Sequence, residues 1–203
     1  MRHRISGYGM LAEIAKRLGS GWPKTRARIE TCFMLQPVGF SIRPATRDDV
    51  PTIMAFIRAL AEFENLTDEV TATEDELSEE LFGAMPRAEV LLACENGKPV
   101  GFALFFHNFS TFLSRTGLYV EDLFVLPEYR GKGYGRALML QLAKTARERG
   151  CGRFEWTVLD WNQPAIDFYR SLGAEPMSQW IIQRVTGDAL VKLAERPLFE
   201  DSD

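Results

Sequence analysis

From residue 40 onward, apolar residues recur at helical spacing in some segments and at strand spacing in others. Apolar positions recur every three or four residues on a half-buried helix and every second residue on a half-buried strand. The pattern predicts helices near residues 50–61, from 73 onward, and at 134–149 and 163–172. It predicts strands at 40–43, 89–94, 100–106, 118–125 and 153–159, with two more near 180–185 and 188–193.

Short local motifs mark where several of these elements begin and end. Thr46 and Asp49 resemble a capping box, in which a hydroxyl and an acidic side chain satisfy free N–H groups at a helix start. Asn96-Gly97 lies between two strands and is typical of a tight hairpin. Gly150 and Asn162 are expected to end one helix and to cap the next. Because helices alternate with strands in the second half while a hairpin dominates the middle, we expect an α/β domain with a mixed sheet.

Composition places the chain among ordinary globular proteins. Of its 203 residues, 46% are hydrophobic and 26% are charged, which excludes disordered, collagen-like and fibrous classes. Three scattered cysteines do not form a disulfide framework or a paired-cysteine zinc motif, and two histidines poorly supply a metal centre or a Ser-His-Asp triad. No apolar run approaches the roughly 18 residues that a membrane span needs. The sequence therefore predicts a soluble, reduced, cytoplasmic protein without a metal.

The net charge of −4 is unevenly distributed along the chain. Residues 1–40 carry seven Lys or Arg against two Glu, whereas the rest of the chain carries a net charge of −9. We interpret residues 1–39 as a basic extension without catalytic importance; a transit peptide and a basic interaction arm are the alternatives. The catalytic domain is then expected at residues 40–203. Its acidic body would repel a nucleic-acid backbone and suits a cationic small molecule.

The stretch from Glu121 to Arg136 carries the clearest chemical signal. A strand ends there, Pro127 breaks it, and a glycine-rich turn at residues 130–135 opens a helix. Glycines let the backbone approach a ligand, and free N–H groups at a helix start attract an anion, so phosphate or pyrophosphate is the expected ligand. The alternative is a glycine-rich turn with solvated cations. A Rossmann pattern would need a small residue where Arg136 stands, and the Walker A pattern never occurs.

The turn resembles the acetyl-CoA signature of the GCN5-related N-acetyltransferase (GNAT) superfamily. The resemblance is closest to the diamine and polyamine acetyltransferases and the thialysine acetyltransferases, and it covers roughly residues 40–194. It rests on the turn and on motifs that recur in order: Ile42-Arg43-Pro44-Ala45-Thr46, Leu60-Ala61, Phe63-Glu64, Glu121-Asp122 and the segment from Trp161 to Tyr169. It implies a mostly antiparallel central sheet flanked by helices, acetyl-CoA as the co-substrate, and a homodimer.

The resemblance also implies where acetyl-CoA binds. The strand backbone at Leu123, Phe124 and Val125 would hold the pantetheine arm. The pyrophosphate would be held by the turn and the helix start: Arg130, Gly131, Lys132, Gly133, Tyr134, Gly135 and Arg136. Asn162 and Ala165 would contact the cofactor from the next strand–helix junction, although Asn162 also fits an ordinary helix cap.

Two catalytic roles follow from the chemistry of amine acetylation. The departing thiolate needs an acid, and in the family this is the tyrosine that matches Tyr169; the alternative is a packing role for that ring. The attacking ammonium must lose a proton, and Glu121 matches the family's carboxylate base, acting through water. Adjacent strand residues face opposite sides, so Asp122 can share the site with Glu121 only if the strand bulges. Cys94 or Cys151 as an acyl-accepting nucleophile has no supporting motif.

The amine acceptor is expected to be small and cationic. Residues 59–86 contain nine acids and no Lys or Arg, which would attract a cation, although a solvated acidic face is equally consistent. The resemblance places Phe63, Glu64, Glu121 and Asp122 at the substrate. Residues 108–113 and 178–179 lack the acidic positions of polyamine enzymes, so a diamine or a lysine-like amino acid is as plausible as spermidine. The alternatives are peptide or protein acetylation and a non-catalytic acetyl-CoA-binding sensor or partner module.

Overall fold

A computed structural model describes residues 39–198 of the chain. The predicted basic extension, residues 1–39, lies outside the described residues except for Gly39. The chain divides into two compact units whose boundary lies between Glu155 and Trp156, and each unit is described by itself. None of the helices within residues 39–198 is long and apolar enough to span a membrane.

The first unit is organised around one sheet. The strands are β1 (Phe40–Pro44), β2 (Glu89–Glu95), β3 (Lys98–Ser110), β4 (Arg115–Val125) and β5 (Arg153–Trp156). They are hydrogen-bonded in the order β1-β2-β3-β4-β5, and the pairings from β1 to β4 are antiparallel. This arrangement, flanked by helices, confirms the predicted fold class.

The hairpin between β2 and β3 forms for the reason that the sequence indicated. Glu95 pairs with Lys98, which leaves Asn96-Gly97 as a two-residue turn. Both turn residues have positive φ angles, 51° and 79°. A tight hairpin turn of this kind requires such angles, and Asn and Gly adopt them at low cost.

Three helices belong to the first unit: α1 (Val50–Glu64), α2 (Glu74–Phe82) and α3 (Tyr134–Glu148). The chain enters α1 through a single 3-10 turn, Arg47–Asp49, and the predicted capping box of Thr46 and Asp49 is present. Asp49 is buried and accepts two hydrogen bonds of 2.7 Å from the Arg43 guanidinium. A second capping box, from Thr73 to Glu76, starts α2. These polar contacts satisfy N–H groups that a helix start leaves without partners.

The core of the first unit lies between the sheet and its helices. One cluster packs α1 residues Ile53 and Phe56 against Leu92, Phe102 and Phe124 of three neighbouring strands. The rings of Phe56 and Phe102 stack with their centroids 5.7 Å apart. Helix α3 buries one face, made of Leu138, Met139 and Leu142, and contacts β2, β3 and β4. Helices α1 and α3 therefore both pack against β2, β3 and β4, the three central strands of the sheet.

The second unit contains α4 (Gln163–Ser171) and α5 (Gly187–Ala194). As predicted, Asn162 caps α4: its side-chain oxygen accepts a hydrogen bond from the Ala165 N–H. The strand predicted at 153–159 is shorter and ends at Trp156.

The prediction of two final strands is wrong. Residues 180–185 have no regular structure, and α5 spans the whole segment, 188–193, that was predicted as the last strand. In α5 the apolar residues Leu190, Val191, Leu193 and Ala194 follow a helical period rather than the period of two that a strand requires. Among the described residues, residues 180–185 are paired with no strand of the sheet, and an unpaired strand is not stable on its own.

Candidate active site

An irregularity in the pairing of β3 with β4 lies at the predicted catalytic carboxylates. Leu104 pairs with Asp122 but the next residue, Phe105, pairs with Val120, which leaves Glu121 as an extra residue on β4. Such a bulge bends the strand and redirects its side chains. It is the arrangement that the sequence required if Glu121 and Asp122 were to serve one site.

Three carboxylates interact electrostatically around this bulge. Burial raises the pKa of Asp122 to about 6, and the negative charges of Glu121 and Glu64 contribute to this rise. Glu64 is the last residue of α1, and its own pKa is raised by burial. The structure therefore brings Glu64, Glu121 and Asp122 together, and this carboxylate cluster is destabilised by its own charge. A bound cation would relieve that repulsion.

Phe63 lies next to the carboxylate cluster in sequence and contacts the glycine-rich turn. The Arg130 guanidinium lies over the Phe63 ring at 4.8 Å and near the Phe124 ring at 5.5 Å. Its Nε donates a hydrogen bond of 3.0 Å to the Val125 carbonyl. The side chain of Arg130 thus folds back onto the end of β4.

The glycine-rich turn has the backbone geometry that anion binding needs. Gly131 and Gly133 have φ angles of 76° and 85°, in the left-handed region that favours glycine. The first bond of α3 runs from the Ala137 N–H to the Gly133 carbonyl, so the N–H groups of residues 134–136 precede the helical ladder. A Cβ added at Gly131 or Gly133 would meet nothing within 4 Å. This open turn with free donors fits a pyrophosphate, as the sequence predicted on physical grounds.

The cations of the turn are not all free. Lys132 donates to Glu95 at 2.9 Å, and the buried Tyr134 donates a hydrogen bond from its hydroxyl to the same carboxylate oxygen. Arg136 is exposed on the first turn of α3. Glu95 was not predicted from the sequence, because it belongs to no motif and lies 37 residues from Lys132 along the chain.

The strand residues expected to hold the pantetheine arm lie at the end of β4. Leu123 and Val125 are partly buried and Phe124 is part of the core. They pair with Ala103, Phe102 and Gly101 of β3.

The remaining predicted residues belong to the second unit. Asn162 and Ala165 are joined by the capping hydrogen bond at the start of α4. Tyr169 lies on the same helix, where its ring packs near the rings of Trp156 and Phe168, with centroids 5.1 and 5.2 Å away.

A cavity of about 470 Å³ lies in another part of the first unit. Its lining includes Leu81, Val90, Phe105, Thr145 and Arg149. No residue that the sequence predicts for chemistry lines it. In the part of the chain that the structure describes, no group of three or more potential metal ligands is close enough to hold a metal ion.

Comparisons with known proteins agree with this reading of the fold. The model of the acetyltransferase (GNAT) family matches residues 55–174. The thialysine N-epsilon-acetyltransferase of Sus scrofa is 39% identical over 166 residues, which covers 75% of this chain and 96% of that protein. The L-ornithine N5-acetyltransferase NATA1 of Arabidopsis thaliana is 34% identical over 194 residues, covering 73% and 85%.

A solved structure shows the same fold. An integron cassette protein from the mobile metagenome of V. cholerae superposes with a TM-score of 0.66 at 29% identity, covering 78% of this chain and 99% of that one. The chain therefore belongs to the acetyltransferase (GNAT) family and is an acetyl-CoA-dependent N-acetyltransferase, as its sequence predicted.

Proposed function

We propose that this enzyme acetylates the side-chain amine of a lysine-like or ornithine-like amino acid. The carboxylate cluster of Glu64, Glu121 and Asp122 carries this proposal, because neighbouring negative charges, with Glu64 and Asp122 partly buried, favour a cationic acceptor. Two of the similar relatives act, by their names, on thialysine and on ornithine. Both are short amino acids with a terminal amine. Diamines and polyamines are the alternative acceptors within the same cationic class.

Acetyl-CoA is the donor in this proposal, and its phosphates fit the glycine-rich turn. The N–H groups of Tyr134, Gly135 and Arg136 would bind the pyrophosphate, with the positive end of the α3 dipole favouring negative charge there. The β4 backbone at residues 123–125 would hold the pantetheine arm. Asn162 and Ala165 are proposed as further contacts, which rests on the family resemblance alone.

The chemistry needs two proton transfers. Glu121 is proposed to accept the proton of the attacking ammonium through water, and Asp122 is proposed to hold the cationic end of the acceptor. Tyr169 is proposed to donate a proton to the departing thiolate, because a phenol within hydrogen-bond reach is a competent general acid. Phe63 is proposed to line the acceptor site, where an aromatic face stabilises a nearby ammonium.

A panel of amines tests the acceptor class. Thiol release from acetyl-CoA is measured with lysine, ornithine, thialysine, putrescine, spermidine, an aminoglycoside and a peptide. We expect kcat/KM for one of the amino acids to exceed that for spermidine by at least about tenfold, the scale of a well-placed polar contact in a binding site. A preference for spermidine would overturn the amino-acid assignment. No release with any amine, despite measurable acetyl-CoA binding, would favour a non-catalytic binding module.

Substitution Tyr169→Phe tests the proposed general acid. The phenyl ring keeps the packing near Trp156 and Phe168 while the donor hydroxyl is lost, so we expect kcat to fall at least about tenfold. The Kd of acetyl-CoA, measured by calorimetry, is expected to stay unchanged. Tyr119→Phe is the matched control, since the Tyr119 ring packs against Phe106 on the sheet. Equal kcat in the two variants would refute the role of Tyr169.

Substitution Asp122→Asn tests the free-energy cost of the negative charge at Asp122. The pKa of Asp122 in the folded chain, about 6, lies above its ordinary value of 3.8, so ionisation of Asp122 opposes folding. This cost is absent below about pH 4, grows between about pH 4 and 6, and is fully present above that range.

The free energy of unfolding of the amide variant should therefore exceed that of the wild type by roughly 1–3 kcal/mol at pH 7.5. At pH 4 the two free energies should differ little. Its KM for the amine should rise roughly tenfold, because a desolvated charge partner is lost. Urea unfolding at both pH values and steady-state kinetics measure these effects, with the exposed Asp48→Asn as the control. A destabilised amide variant at pH 7.5 would contradict the argument.

We also propose that the enzyme is a homodimer in the cytoplasm. The oligomer is supported by the apolar residues of the second unit: Trp180, Ile181 and Ile182 are 68%, 81% and 65% exposed. Contiguous apolar surface of this kind is typical of a protein–protein interface. The cytoplasmic location stays a prediction from the sequence.

Paired substitutions Ile181→Lys and Ile182→Lys test the dimer. A lysine charge placed in an apolar interface would be desolvated and have no partner, which opposes association. We therefore expect the wild type to have the mass of two chains and the variant the mass of one. Light scattering after size-exclusion chromatography measures both. Leu140→Lys, at an exposed apolar position of α3 in the first unit, is the control that should keep the wild-type mass. A monomeric wild type would disprove the assignment.

A further inference from the structure

Glu95 joins the β2–β3 hairpin to the glycine-rich turn. It is the last residue of β2 and pairs with Phe40 of β1 on one side and Lys98 of β3 on the other. Its Oε1 atom accepts hydrogen bonds from the Lys132 ammonium, at 2.9 Å, and from the Tyr134 hydroxyl. One carboxylate oxygen from a distant part of the chain therefore holds two side chains of the turn.

The turn needs an anchor outside itself. Gly131 and Gly133 alternate with Lys132 and Tyr134, and open space surrounds the Cβ positions of both glycines. Glycine has no side chain that could pack and hold the backbone at these positions. It also loses more conformational freedom on folding than any other residue, so ordering the turn has a free-energy cost. Arg130 holds the start of the turn through its hydrogen bond to the Val125 carbonyl, and the two side chains that flank Gly133, Lys132 and Tyr134, both end on Glu95.

The Tyr134 ring is fixed from a second direction. It stacks on the Phe40 ring with centroids 4.4 Å apart and planes inclined by 11°. Phe40 is the residue of β1 that pairs with Glu95, so the ring contact and the hydrogen bond come from adjacent positions of the sheet. Both contacts restrain the first residue of α3, where the free N–H groups begin.

The charges at this contact keep it intact near neutral pH. Hydrogen bonds from Tyr134 and then from Lys132 lower the pKa of Glu95, so its carboxylate stays ionised. The hydrogen bond to Glu95 raises the pKa of Tyr134 to about 12, so its hydroxyl stays protonated and keeps donating. The Lys132 ammonium also lies 4.8 Å from the centre of the Tyr129 ring.

We propose that Glu95 is a positioning residue for acetyl-CoA: by holding Lys132 and Tyr134 it orders the turn whose N–H groups bind the pyrophosphate. The inference rests on the proposed placement of acetyl-CoA at this turn. In this proposal Glu95 acts on the donor only through Lys132 and Tyr134. Its loss should therefore weaken binding of donors that carry phosphates and leave the chemical step unchanged.

The test compares Glu95→Ala, Glu95→Gln and the control Glu89→Ala. Glu89 is the first residue of the same strand, and its ion pair with Arg149 lies at the opposite end of β2. We expect Glu95→Ala to raise the calorimetric Kd of coenzyme A and the KM of acetyl-CoA about tenfold, the scale of lost charge-assisted hydrogen bonds, with kcat unchanged. Glu95→Gln keeps an oxygen that accepts both bonds and should restore most of the affinity.

A truncated donor separates positioning from general damage. Acetyl-pantetheine lacks the phosphates, so its kcat/KM should be equal in wild type and Glu95→Ala. The Tyr134 phenol, followed by NMR titration, should return toward its ordinary pKa in Glu95→Ala. An equal loss with both donors, an unchanged Kd for coenzyme A, or an unchanged Tyr134 titration would each overturn the inference. Wild-type protein that does not bind coenzyme A would overturn the proposed function itself.

Discussion

The extra residue on β4 is the constraint on which the candidate site depends. In a regular antiparallel strand, successive side chains face opposite sides, so Glu121 and Asp122 would be separated by the sheet. The register shift at Leu104 and Phe105 removes that separation and groups both acids with Glu64. The rest of β4 keeps its pairing on either side of the bulge, which lets the sheet hold the irregular residue firmly.

This grouping has a cost in stability that a functional site can justify. Burial of Asp122, and then the negative charges of Glu121 and Glu64 beside it, raise the pKa of Asp122 to about 6. A sequence selected for stability alone would avoid them. A site built to receive an ammonium would not, because the bound cation supplies the missing charge. Such local conflicts with folding are a common mark of functional positions.

The glycine-rich turn combines local interactions with contacts from distant parts of the chain. Glycine permits the left-handed backbone and the helix start supplies free N–H groups, and both effects act within a few residues. The same openness leaves the two glycine positions without side-chain packing. Order has to come from elsewhere, and here it comes from Glu95 and Phe40 on the first two strands. The family model spans residues 55–174, which include the turn, whereas the anchoring by Glu95 and Phe40 is seen in the contacts of this chain.

The sequence alone determined the features that depend on short-range physics. Capping boxes at Thr46 and Thr73, the Asn96-Gly97 hairpin and the glycine-rich turn were predictable because their partners lie within about four residues. Tertiary structure decided the rest: Glu95 meets Lys132 only because the hairpin folds back, and the burial of Asp122 depends on strand pairing and on α1. Residues 180–185 were predicted as a strand from apolar content, but a strand also needs a neighbouring edge for its backbone hydrogen bonds, and a local pattern does not encode that edge.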